Sequence, residues 1–189
     1  MVGVLFTKLI AKTTQLSLHK HVVYNAKMKE KQINIKLILL ESFALIFVIN
    51  GIQRLYLASQ GEIYDAALNQ NWGKFESLTS ESIGEVFANR AFWTFGIILV
   101  GVFAVGIINW KNRIRIINSI ILFIIIIGIS LTGFFLSGIT NQYLNYFCGI
   151  FAESYGISFF IGGNILTIIG IAILWKTINL NKNTIHNTV

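Results

Sequence analysis

The chain has 189 residues, 54% of them hydrophobic and only 12% charged, about half the charged share of an average soluble domain. A chain of this size has too small an interior to hide that much apolar surface from water, so a bilayer is the expected solvent. The net charge of +7 does not point to nucleic acid, because the basic residues are gathered into particular segments and form no face with interleaved aromatics.

Residues 1–34 are polar and basic, with Lys8, Lys12, Lys20, Lys27, Lys29 and Lys31 set against Glu30. The apolar run at 2–6 is too short for the hydrophobic region of a signal peptide. The segment reads as a cytoplasmic tail, basic enough to rest on an anionic leaflet. Met28, followed by Lys29, Glu30, Lys31 and Gln32 just ahead of an apolar run, looks like a bacterial translation start. On that reading 1–27 is an upstream extension.

Residues 35–57 are the first expected crossing, since about 20 apolar residues span a hydrocarbon core of about 30 Å. The run is impure. Lys36 and Glu41 lie near one end, and Asn50, Gln53 and Arg54 near the other. Lys36 and Arg54 are expected to snorkel to the headgroups. Residues 58–90 are polar and carry Glu62, Asp65, Glu76, Glu81 and Glu85. Apolar residues at helical spacing (Ile63, Ala66, Ala67, then Ile83, Val86, Phe87) predict one or two short helices on the outer surface. Trp72 and Phe75 are expected at the interface, and Thr79 or Ser80 as the cap of the second helix.

The chain is organised around residues 92–136, two apolar runs separated by the basic break from Asn109 to Arg115. This reads as a helical hairpin, with a second crossing at 91–108 and a third at 116–136. Gly96, Gly101 and Gly106 recur every five residues, a step that rotates about 140° around a helix, so they form no dimerisation stripe. In the second outer segment, 137–155, Tyr143, Phe147 and Phe151 are spaced by four and suit a helix in the headgroup layer. Residues 156–174 are the last crossing. Gly163 and Gly170, seven apart, predict close packing on one face. A polar tail fills 177–189.

The expected fold is therefore all-α: an integral membrane protein, a bundle of four transmembrane helices with short interfacial helices in its two outer loops. The basic tail 1–34, the membrane domain 35–176 and the tail 177–189 are its divisions. Of 15 Lys and Arg, all but Arg54, Lys74 and Arg90 fall in the N-terminal segment, the central turn or the C-terminal tail. The positive-inside rule then places both termini in the cytoplasm of a bacterial cell, with the chain in its inner membrane.

Polar residues inside the spans are the only candidates for a site. Glu41 is the sole acid within one, and an ionisable group there is a functional hypothesis by default; pairing with a lysine of the N-terminal segment is the plainer expectation. Asn50 and Arg54, four apart, share a helix face. Glu41 lies nine residues from Asn50, about half a turn out of phase, so no single polar path joins all three. Asn164, beside Gly162 and Gly163, is expected to make a helix-packing contact or to mark a kinked substrate site.

No catalytic, cofactor or metal site is expected. His19 and His21 lack a third ligand at suitable spacing, as does His186. The lone Cys148 excludes an internal disulfide and reads as a small apolar filler. No GxSxG or GxxxxGK[ST] motif occurs. The expected partners are the lipid bilayer and a protein subunit or further copies of the chain. The expected function is that of a non-catalytic accessory or interaction subunit. Its rivals are a small oligomeric transporter or channel and, third, a membrane-surface enzyme, which needs carboxylates facing one cleft.

Overall fold

The computed structural model describes residues 33–136 and 139–186, and every regular element among them is helical. The expectations placed on residues 1–32, including the start at Met28 and the histidines at 19 and 21, lie outside this range. In chain order the helices are α1 (Ile35–Ser59), α2 (Gly61–Leu68), α3 (Trp72–Leu78), α4 (Ile83–Lys111), α5 (Ile116–Leu131), α6 (Ile139–Gly149) and α7 (Tyr155–His186). Three of them, α1, α4 and the Tyr155–Asn179 part of α7, are long and apolar enough to cross a membrane.

The third expected crossing is shorter than its apolar run. α5 has 16 residues, about 24 Å at 1.5 Å per residue. Thr132 turns its hydroxyl back to the Ile129 carbonyl at 2.6 Å, and Gly133 follows at φ 75°, a left-handed conformation that glycine adopts without a side-chain clash. The apolar sequence continues, but as turns.

Two other helix ends lack glycine and stop by the same geometry. After α2 the Gln70 amide bonds the Ala67 carbonyl and the Asn71 amide bonds that of Ala66. After α4 the Arg113 amide bonds Trp110 and the Ile114 amide bonds Asn109. These paired bonds make Schellman endings, with Gln70 and Arg113 held at φ 54° and 56°. Asn71 then caps α3 through its side chain, accepting from the Lys74 amide. The cap of α4 is Ser82 rather than Thr79 or Ser80. Ser82 accepts from the Glu85 amide, and the Glu85 carboxylate accepts from the Ser82 amide at 2.7 Å; the acid three residues on completes a capping box.

α1 is the hub, packing along α7 and against α4 and α5. Its approach to α7 depends on absent side chains. A methyl group at Gly51 would collide with Thr167 and the Gly163 carbonyl, one at Gly163 would lie 2.9 Å from the Gly51 carbonyl, and one at Gly170 2.7 Å from the Ala44 carbonyl. Gly163 and Gly170 thus share the packed face that their spacing predicts. Gly96 and Gly106 open onto free space. Leu45 and Ile49 of α1 join Ile98, Val102 and Val105 of α4 and Leu122 and Ile126 of α5 in one apolar core. A second cluster gathers Leu57, Tyr64, Phe75, Val86, Cys148 and Phe159 where the short helices meet the long ones.

Candidate functional site

α1 carries polar side chains into the interior at two levels. Near its C-terminal end, Asn50, Gln53 and Arg54 are all buried. The i, i+4 spacing of Asn50 and Arg54 makes them one unit. Arg54 Nη1 donates to the Asn50 carbonyl at 3.1 Å and to its side-chain oxygen at 3.2 Å. Arg54 Nη2 crosses to α6, donating to Asn141 Oδ1 at 3.1 Å and Asn145 Oδ1 at 3.0 Å. Asn141 and Asn145 are again four apart, so one face of α6 receives the guanidinium. Arg90, half-buried on α4, donates to the same Asn141 Oδ1 at 3.4 Å. Among the described residues the oxygen acceptors of both arginines belong to amides and the main chain, and the Nε atom of each has no hydrogen-bond partner.

Arg54 therefore does not snorkel. It is fully enclosed, at 0% exposure, because α6 folds over the end of α1 and supplies its acceptors. Gln53 beside it ties three elements together, with Nε2 donating to Thr94 Oγ1 at 2.9 Å and to the Phe135 carbonyl at 2.8 Å. The Cys148 thiol lies next to the Arg54 guanidinium, and burial pushes that thiol above its ordinary ionisation range. On the other side of Cys148 is Gly162 of α7, where any added side chain would strike the sulfur. The cysteine fills a gap between α6 and α7.

Glu41 forms the second level. Nine residues before Asn50, it is about 14 Å away along the helix axis. Its carboxylate is fully buried and accepts from Asn109 Nδ2 at 3.0 Å. Asn109 also donates to Ser119 Oγ at 3.3 Å, so α1, α4 and α5 meet here. Glu41 Oε1 and Asn109 Oδ1 have no partner among the described residues. Asn109 belongs to the stretch read as a basic turn from the sequence, but α4 continues to Lys111 and its register turns Asn109 inward. Asn164 joins neither level. It is half-buried and donates to the Phe160 carbonyl of its own helix at 2.8 Å, an intrahelical bond in place of the expected contact between helices.

A surface groove of about 740 Å³ runs between the end of α1, α2 and the start of α7, with Glu62, Asp65 and Glu153 on its walls, Lys74 at its edge and Tyr155 beside them. Glu62 and Glu153 are exposed and Asp65 accepts from Asn69 at 3.1 Å. Among the described residues no three acids, histidines or cysteines are grouped to hold a metal ion.

Comparison with protein-family models, with curated proteins and with solved structures finds no match to this chain. The site rests on its geometry alone. Of the residues singled out in the sequence, Asn50 and Arg54 come together, Glu41 stands apart with Asn109, and Asn164 is separate. Arg90, Asn109, Asn141 and Asn145 were not among them. The i, i+4 pairing of Asn141 and Asn145 was the available signal, masked by the aromatic stripe on the same helix.

Proposed function

We propose that the chain is a multi-pass protein of a bacterial inner membrane. α1, α4, α5 and α7 cross the bilayer, α5 together with the turns that follow it, and both termini lie in the cytoplasm. We infer further that it acts as a non-catalytic accessory or interaction subunit.

The supporting observation is the inverted polarity of α4. Phe92, Phe95, Val100, Phe103 and Ile107 are exposed, whereas Thr94 and Asn109 are buried. An outward apolar face with inward polar groups suits hydrocarbon or a partner helix. The polar groups are spent on joining helices: Gln53 to Thr94, Arg54 to α6, Asn109 to Glu41. That is the economy of a scaffold. The test is purification of the tagged full chain in mild detergent followed by native mass spectrometry. A different subunit in fixed stoichiometry supports the reading; a monomer or a homo-oligomer alone overturns it.

One observation favours a second reading, a small transporter or channel. Glu41 Oε1 and Asn109 Oδ1 are each buried without a donor among the described residues, and a buried acid of this kind can hold a proton or cation. Ion flux in proteoliposomes that is abolished by Glu41→Gln would support it. Absence of flux in the unaltered protein would remove it.

A further inference from the structure

The outer end of the bundle has a charge imbalance that the described side chains do not resolve. Arg54 and Arg90 donate to one neutral atom, Asn141 Oδ1, at 3.1 and 3.4 Å. Arg54 is fully buried, and among the described residues none of the acceptors of either guanidinium is a carboxylate. Each arginine also keeps an enclosed Nε with no acceptor. Two like charges in a low-dielectric site repel, and a buried charge without a counter-charge is costly. Neutral amides satisfy hydrogen-bonding geometry but do not cancel charge.

We propose that Arg54 and Arg90, steadied by Asn141 and Asn145, form a binding site for one phosphate-class oxyanion. Guanidinium forks match the spacing of phosphate oxygens and bind them in pairs. Both forks converge on Asn141 Oδ1, and the Nε–H of each, unpaired among the described residues, is the donor left for an anion oxygen beside it. Arg90 is only partly buried and gives access from the surface. Tyr155, on the wall of the outer groove, lies within electrostatic reach of both arginines. Arg54 is five residues from the end of α1, about 8 Å by the helical rise. This depth argument rests on the membrane reading above and places the site at the level of lipid headgroups. The phosphate is carried by an anionic phospholipid or is free in solution, and the same residues recognise either.

The test uses the full chain in mild detergent, freed of lipid, at constant ionic strength. Phosphatidylglycerol in mixed micelles and inorganic phosphate are titrated separately, and the thermal midpoint is followed. Either ligand is expected to raise the midpoint of the unaltered protein, with affinity weakened at least about tenfold in Arg90→Gln, as for a lost charge-assisted hydrogen bond. Arg90→Lys is expected to retain part of the response, and Arg113→Gln, in the turn after α4, all of it. A response to phosphatidylglycerol alone assigns the site to a lipid headgroup; a response to inorganic phosphate assigns it to the free ion. No response to either, or equal responses in the unaltered protein and Arg90→Gln, overturns the proposal. Subunit association is read separately by native mass spectrometry, so failure here is distinguishable from failure of the accessory reading.

Discussion

Tyr64 carries its polar atom into the second apolar cluster, donating to the Val86 carbonyl at 3.4 Å. Burial, the largest cause, pushes its phenol from 10.0 up to about 12. Because the folded value lies above the unfolded one, its contribution to stability is complete below pH 10.0 and is lost as pH rises through about 12. Spectrophotometric titration should show late tyrosine ionisation, and Tyr64→Phe should lower its amplitude by one tyrosine; an unchanged late amplitude would count against the burial. Arg113 offers a converse test. It holds a left-handed conformation with a side chain attached, at a cost of about 1 kcal/mol. Arg113→Gly is expected to raise stability by up to that amount in denaturant unfolding. These two effects were not legible in the sequence: neither residue is a habitual turn or cap signal, and their conformations depend on bonds made by their neighbours.

The contact between α1 and α7 sets a sharper contrast at the scale of elements. Gly51→Val would drive two methyl groups into Thr167 and the Gly163 main chain. It should destabilise the chain by about 1–3 kcal/mol or more. Gly96 faces open space, and Gly96→Ala should gain about 0.5–1 kcal/mol from helix propensity. Unfolding in mixed micelles would compare them; equal effects would mean the helices do not meet at Gly51. Ser82→Ala should loosen the start of α4 by about 1 kcal/mol, seen as faster amide exchange over residues 83–86. The long helices were legible because twenty-residue apolar runs leave the backbone few other ways to bond itself. The first run was placed at 35–57 and the helix spans Ile35–Ser59. The last apolar run covers 156–174, and its helix continues to His186, since a helix does not stop where apolar character does. The run at 116–136 is helical only to Leu131; hydropathy is blind to the turn at Gly133. The Asn50–Arg54 pair was visible from spacing, but its partners on α6 lie 87 and 91 residues further along the chain, and no local pattern reports such a meeting.

For the whole molecule, the distribution of positive charge makes a prediction about sidedness. The basic turn after α4, with Lys111, Arg113 and Arg115, should remain on the cytoplasmic side. A reporter fused after Val189 should then read cytoplasmic, and one inserted between α2 and α3 should read external. Reports of the same side from both would require an odd number of crossings between the two points to be wrong. A chain in which α5 does not cross gives the C-terminal reporter the opposite sign, so the experiment also measures whether 16 helical residues and their turns suffice.

The hub helix α1 is also the earliest of the long helices to leave the ribosome. Gln53 waits for the Phe135 carbonyl, 82 residues later, and Arg54 for Asn141, 87 residues later. Until those arrive, Arg54 has only the Asn50 oxygens of its own helix and Gln53 only Thr94 of α4. Chains halted before α6 lack the acceptors of Arg54 Nη2 and are expected to turn over faster than the full chain in a pulse-chase experiment. The polar cluster that locks the bundle thus closes only once α6 has been made.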